Sequence, residues 1–282
     1  MQPILQTKQS QVPHVLYSEL PKHLTKIIYV NEIMDYNKNV QIRMENVNQH
    51  LFSLYNPWKT ITPSARSAMN SKYPNTILCI HRQGTQVFEE SEYYEFIQKY
   101  KIQNCTQLYD PLFYKKDRHL RYLQNGLDLN VIPVVMLSDS NFLSKVFELY
   151  SDRSLKTIIF ENNTEKSLSE FVDLLDSVKS KGILPYCIRL TNYEDVKLCR
   201  SNEYQYDTYI CEHLAARRKV IIDGELRNLT DVAKGNGKAP MEKGCDCEGC
   251  YYSSFYVQHL VNSRELLAEV CLMHHNLSKL IK

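Results

Sequence analysis

Cys245, Cys247 and Cys250 place three thiols within six residues, and His259, Cys271, His274 and His275 follow downstream. Thiols this close cannot anchor three separate disulfides without strain. Three sulfurs and one imidazole can instead converge on a single tetrahedral ion, and closed Cys₃His sets are a structural zinc type. The C-x-C-x₂-C spacing differs from the paired C-x₂-C knuckles of most zinc modules. A redox pair, Cys247 and Cys250, is the competing chemistry. A reduced cysteine core is the plain alternative, and Asp246 and Glu248 inside the cluster argue against it. The residues leave the fourth ligand open among His259, Cys271, His274 and His275. Three thiolates, a neutral imidazole and Zn²⁺ sum to −1, which Lys243 would soften, and a filled tetrahedron leaves no position for water, so such a site is structural.

The elements that must position these ligands pose a geometric demand. Tyr256, Leu260, Leu267, Val270 and Leu277 approximate one helical stripe over 254–279, with Ser253 or Ser254 as its N-cap. A straight helix would hold the cysteines and His275 about 37 Å apart at 1.5 Å per residue. Either the helix breaks or the cysteine knuckle folds back along it. Upstream, Lys26–Val30, Thr76–Ile80, Val131–Leu137, Lys156–Phe160, Ile183–Ile188 and Lys219–Ile222 are short apolar runs without alternation, the pattern of strands covered on both faces. Pro133 suits only a strand start or a bulge. Helical periods fall between them: Ser91–Lys101 (Tyr94, Ile97, and Tyr100 or Ile102), Asn141–Ser151 (Phe142, Val146, Tyr150), Ser167–Ser180 (Leu168, Phe171, Val172, Leu175, Val178) and Tyr193–Arg200 (Val196, Cys199). Strand–helix alternation implies a parallel α/β architecture. The run Lys234-Gly235-Asn236-Gly237-Lys238 reads as a flexible loop inside a soft boundary at 228–243.

The 282 residues suffice for one large α/β domain or two smaller ones, and 43% hydrophobic content excludes global disorder. With 34 basic and 32 acidic residues and a net charge of +2, the chain is not an electrostatic coat for nucleic acid, so any such contact must come from a local patch. Lys115-Lys116-Asp117-Arg118 with Arg121, and Arg217-Arg218-Lys219, are the candidates. The remaining cysteines, Cys79, Cys105, Cys187, Cys199, Cys211 and Cys271, stand singly and read as buried free thiols of a reducing compartment. The first residues lack a signal-peptide build, and no run of 18 apolar residues predicts a membrane span. The expectation is a soluble intracellular protein.

The segment Cys245-Asp246-Cys247-x-x-Cys250, then Tyr256-Val257-Gln258-His259-Leu260, Glu265-Leu266-Leu267-Ala268 and His275-Asn276-Leu277, resembles the zinc segment of tRNA-guanine transglycosylases. The lead-ins Asp223–Leu229 and Pro240–Gly244 extend the resemblance, and the stretch after Cys250 is one residue shorter than usual. Leu5–Lys8 with Val12–Val15 resembles the opening of the family's eukaryotic accessory subunits, and Ile183–Arg218 the strand, helix and strand that carry its nucleophile. The resemblance implies a (β/α)₈ TIM-like barrel, here shortened, over 1–240, and a zinc-binding subdomain over 241–282. It assigns the zinc ligands to Cys245, Cys247, Cys250 and His275. It also implies tRNA as substrate, a catalytic partner subunit in a heterodimer, and a place in the cytoplasm or on the outer face of mitochondria.

Against that family pattern the catalytic parts are thin. No Asp-Ser-Gly-Gly-Phe-Gln loop precedes Leu51–Leu54, and 158–163 carries no glycine where the family has a pair that receives the base. Asp207, after Tyr206, stands where the family's aspartate attacks the ribose C1′, but Cys211 and His213 replace the proline and arginine that follow it. A strand-end carboxylate can form a glycosyl-enzyme intermediate, so the alternative to a non-catalytic subunit is a divergent transglycosylase acting on tRNA or DNA through Asp207. A zinc-stabilised interaction module unrelated to tRNA is the third class.

Overall fold

A computed structural model describes residues 27–29, 51–53, 76–81, 84–109, 115–139, 141–162, 164 and 166–281, with side chains from Phe88 onward. The motifs at Leu5–Lys8 and Val12–Val15 lie outside the described residues, as does the side chain of Cys79. Contacts divide the chain at Arg189/Leu190 into two compact units.

The first unit starts with β1 (Ile27–Tyr29) parallel to β2 (Leu51–Ser53), and with β3 (Thr76–His81) antiparallel to β4 (Gly84–Glu89). The run at Thr76 is therefore half of a hairpin and not the strand of a β–α–β unit. Helix α1 (Glu90–Lys99) opens on a reciprocal Glu89/Glu92 capping box, which satisfies its free amides. Its apolar face continues into Ile102, 5% exposed, while Tyr100 faces solvent. Helix α2 (Lys116–Gly126) lies where the sequence showed only a basic patch. Its charges are partly answered, Lys116 by Asp139 at 3.7 Å and Arg121 by Glu90 at 3.8 Å.

The parallel sheet follows. β5 (Val134–Met136), β6 (Thr157–Glu161) and β7 (Leu184–Ile188) pair in register Val134↔Ile159 and Ile159↔Tyr186. A bridge from Thr106 to Ile132 adds one further parallel segment. Nearly every residue of these strands is buried, as both-face coverage requires. Pro133 sits immediately before β5, and its carbonyl accepts from Ile159 at 2.9 Å, so its missing N–H costs the ladder nothing. Helices α3 (Phe142–Leu149) and α4 (Val172–Lys179) fall where the apolar period put them, the second after a 3₁₀ turn capped by Ser167. This unit is thus α/β with a parallel sheet.

The second unit holds α5 (Tyr193–Ser201), β8 (Gln205–Tyr206), α6 (Tyr209–Ala216), the hairpin β9 (Lys219–Ile222)–β10 (Glu225–Asn228), α7 (Leu229–Asn236), α8 (Ser254–Asn262) and α9 (Leu266–Ile281). Two expectations are corrected here. The run Lys219–Ile222 belongs to an antiparallel hairpin closed by Asp223 and Gly224, both in the left-handed region (φ 52° and 76°), the requirement of a tight primed turn. The expected flexible loop at 234–238 is largely helix: Leu229, Val232 and Ala233 are buried at helical spacing, and α7 ends only at Gly237, with φ 56°. Arg200 fastens the far end of α9 by donating to the carbonyls of Lys279 and Leu280 at 3.1 and 2.9 Å, a cation at a helix C-terminus. Among the described residues no helix is long and apolar enough to cross a membrane.

Candidate metal centre

The stripe over 254–279 is two helices. After α8, the amide of Arg264 bonds the Val261 carbonyl (3.2 Å) and that of Glu265 the Leu260 carbonyl (2.9 Å), with Arg264 at φ 58°. These two bonds and the left-handed residue between them are a Schellman stop. The chain turns back there, and α9 runs along the cysteine knuckle. Ser253 is the N-cap of α8, its hydroxyl accepting from Tyr256 at 3.2 Å, while Ser254 is buried and donates to the Gly237 carbonyl. Both parts of the geometric demand are therefore met: the helix breaks and the knuckle lies against its second half.

At Gly249 the knuckle lies directly on the helix backbone: a Cβ there would stand 2.2 Å from the Cys271 carbonyl oxygen. Gly244, at φ 80°, turns the chain into Cys245. From α9, His274 Nδ1 reaches Glu248 Oε2 at 2.9 Å, Lys279 pairs with Glu242, and His275 enters the cluster itself. Its Nδ1 lies 3.7, 3.6 and 3.3 Å from the sulfurs of Cys245, Cys247 and Cys250. All four ligand atoms lie within 4.8 Å of one another. Tetrahedral Zn²⁺ with Zn–S of about 2.3 Å and Zn–N of about 2.05 Å would set sulfur and nitrogen about 3.6 Å apart, so the four residues fit the ion.

The rival ligands are placed elsewhere. His259 is exposed on α8, His274 faces Glu248, and Cys271 is a buried free thiol pushed up to about 11 by burial and then by the charge at Cys247. His275 itself is fully buried, and its Nε2 lies 2.9 Å from the Ile221 carbonyl. A carbonyl only accepts, so Nε2 carries the proton and Nδ1 is left as the lone-pair donor toward the sulfurs. Hydrogen bonding from the Cys250 thiol pulls Cys247 well below the ordinary thiol range against the effect of burial, and pushes Cys250 up. The cluster thus favours thiolate at its centre. A bound ion would take the place of the shared protons, supplying only a fixed link between knuckle and helix. Lys243 is exposed. The cation paired beside the cluster is Lys279, whose bond to Glu242, with the Asp223 amide, outweighs burial and keeps that carboxyl below its usual range.

The sequence reading missed Asn276. Its Oδ1 accepts from the Ile221 amide (2.9 Å) and its Nδ2 donates to the Lys219 carbonyl (3.0 Å), tying α9 to β9. Its place beside His275 in the quoted motif was the available signal.

Asp207 follows β8 and is 0% exposed, with Oδ1 accepting from the Tyr209 amide at 3.2 Å at the start of α6. It lies near Cys211, whose thiol burial pushes well up. His213 stacks on Tyr209 with centroids 6.4 Å apart. In the other unit, Glu161 at the end of β6 is fully buried and held by Arg189 Nη1 at 2.5 Å. Arg217 and Arg218 are exposed between α6 and β9. The free cysteines Cys105, Cys187, Cys199, Cys211 and Cys271 are all buried.

Comparison with known proteins adds the lineage. Residues 205–282 match the family model described as queuine tRNA-ribosyltransferase. Among curated proteins, a queuine tRNA-ribosyltransferase of Prochlorococcus marinus (strain MIT 9211) is 29% identical over 104 residues, 36% of this chain and 28% of that protein. Those of Nostoc sp. (strain PCC 7120) and Cyanothece sp. (strain PCC 7425) are 33% and 34% identical over 78 and 77 residues, in each case 27% of this chain and about a fifth of the relative. The C-terminal segment, with its hairpin, knuckle and helix pair, is thus related to the tRNA-guanine transglycosylases. Within that class the relatives it matches are queuine tRNA-ribosyltransferases, and the chain covers less than a third of their length.

Proposed function

We propose that this chain is a non-catalytic accessory subunit of a heterodimeric queuine tRNA-ribosyltransferase, supporting exchange of guanine for queuine at the wobble position of tRNA. The observation that carries this reading is Asp207. The one carboxylate at the family's nucleophile position is fully buried and engaged with the backbone amide that opens α6. A nucleophile for ribose C1′ has to meet its substrate. The buried Glu161–Arg189 pair, in the stretch where relatives of this class have glycines, supports the same conclusion, because side chains occupy space that a planar base would need.

In this reading residues 1–240 form a shortened (β/α)₈ barrel and 241–282 a zinc-binding subdomain, with one structural Zn²⁺ held by Cys245, Cys247, Cys250 and His275. The ion locks the knuckle onto α9 and performs no chemical step. Tyr251 (80% exposed), Phe255 (65%) and Leu266 (70%) give this region an apolar surface of the aromatic kind enriched at subunit contacts. The catalytic subunit is its occupant, with Arg217 and Arg218 available to tRNA phosphate. The complex works in the cytoplasm or at the mitochondrial outer face. Co-expression with a catalytic subunit tests this: a stable heterodimer with one zinc in this chain is expected, and a chain that stays monomeric beside its partner overturns it.

One observation favours a second reading. Asp207 follows a strand directly and lies inside the stretch matched to the enzymes. If the chain is a divergent transglycosylase, the purified protein alone incorporates labelled guanine into tRNA, and Asp207→Asn abolishes it.

A further inference from the structure

β9 has two edges. One is paired with β10 along Glu225↔Ile222 to Asn228↔Lys219. The other would present the Lys219 carbonyl, the Ile221 amide and the Ile221 carbonyl, three groups that point the same way because residues two apart in a strand share an edge. Left bare inside the unit they would be costly, since buried backbone polar groups require partners. Among the described residues no strand covers this edge. His275 and Asn276 do: Asn276 Nδ2 donates to Lys219 O (3.0 Å), Asn276 Oδ1 accepts from Ile221 N (2.9 Å), and His275 Nε2 donates to Ile221 O (2.9 Å). Two consecutive side chains of α9 thus complete the ladder, and the residue that would bind the ion is one of them. Glu242 Oε2 stands 3.8 Å from His275 Nε2, too far to compete.

We propose that Asn276 is a positioning residue for the metal centre. Its carboxamide, bonded to β9 at two points, holds the strand in the register that aims the Ile221 carbonyl at His275 Nε2. That carbonyl fixes both the ring's orientation and the tautomer with Nδ1 free toward the sulfurs. Without Asn276, β9 keeps its pairing to β10 but loses two of its three bonds to α9, and the imidazole loses the register that guides it. Groups that orient a metal-binding histidine through its other nitrogen act on affinity in this way, by about 10- to 100-fold. The proposal rests on the metal-centre reading above and adds to it a residue that touches no metal.

Co²⁺ titration of the metal-stripped full chain tests it, read by the d–d and sulfur-to-metal bands and by competition with a chelator. Asn276→Ala should bind Co²⁺ about 10- to 100-fold more weakly with a shifted d–d envelope, and Asn276→Asp, which keeps the acceptor for Ile221 N, should fall between Ala and wild type. An Asn276→Ala chain that is less heat-stable but binds Co²⁺ with wild-type affinity and spectrum overturns the proposal, because Asn276 would then only hold the fold. Should Asn276→Ala not fold, ¹¹³Cd-loaded, ¹⁵N-histidine-labelled wild type decides: coupling of cadmium to Nδ1 with a proton on Nε2 is expected, and coupling to Nε2 refutes the geometry. A wild-type chain that binds no Co²⁺ at all would remove the metal-centre reading itself, a distinct result.

Discussion

Gly249→Ala is a substitution whose effect can be worked from distances. Gly249 is buried, and its φ lies outside the left-handed region, so alanine meets no backbone penalty there. The obstacle is space: the new Cβ would stand 2.2 Å from the Cys271 carbonyl oxygen. Reaching an ordinary contact requires the knuckle to retreat from α9 by about 1 Å. Cys250 is the next residue, and coordination tolerates only about 0.2 Å of error in a ligand distance. The methyl group therefore acts on metal affinity as well as on packing. Overpacking of this kind costs about 1–3 kcal/mol, which falls on the metal-bound geometry and corresponds to roughly 5- to 150-fold weaker zinc binding. Zinc competition with a chromophoric chelator measures it directly, with Gly235→Ala in α7 as a comparison in which no atom lies within 4 Å and φ is not positive. Wild-type zinc affinity in Gly249→Ala would refute the packing of knuckle against helix.

His275→Ala should take zinc from one ion per chain to substoichiometric and lower the melting temperature, as metal analysis and calorimetry will report. Glu161→Ala leaves the Arg189 guanidinium without its buried partner; allowing for Arg189's partial exposure, a loss of about 2–3 kcal/mol in urea unfolding is expected, and an unchanged midpoint would show the pair to be idle. His119 is buried, and burial pushes its pKa from 6.5 down to about 3. The unfolded ring takes a proton below about 6.5 and the folded ring does not until about 3, so stability is full above that window and drains through it as pH falls, by up to about 1.4 kcal/mol per unit. His119→Leu should make the acid limb of the stability curve shallower by up to one proton.

The parts of this fold that were legible in the sequence are those where local pattern and tertiary role agree. The buried runs at Val134, Thr157 and Leu184 became adjacent parallel strands because both-face burial leaves an unalternated apolar signature. The three cysteines were legible because a set of residues able to hold one ion restricts spacing. What was not legible follows a physical logic too. The break between α8 and α9 uses Arg264 in the left-handed position that glycine usually marks, so no glycine announced it. The β9–β10 hairpin is marked by Asp223-Gly224, but the unalternated apolar run of β9 before it carries the signature of a strand covered on both faces. Helix α7 hid behind Gly235 and Gly237, since its stability comes from packing Leu229, Val232 and Ala233 and not from propensity. The choice of His275 over His274 depends on one helical position, 100° of rotation, which no composition rule resolves.

The central claim is that this chain keeps the scaffold and leaves the chemistry to a partner. Its most direct test is guanine exchange on tRNA by the purified heterodimer carrying Asp207→Asn in this chain, an exchange that preserves the bond to the Tyr209 amide while removing the carboxylate. Exchange at the wild-type rate is the predicted result. Loss of exchange with the heterodimer intact would make Asp207 the nucleophile and contradict the account.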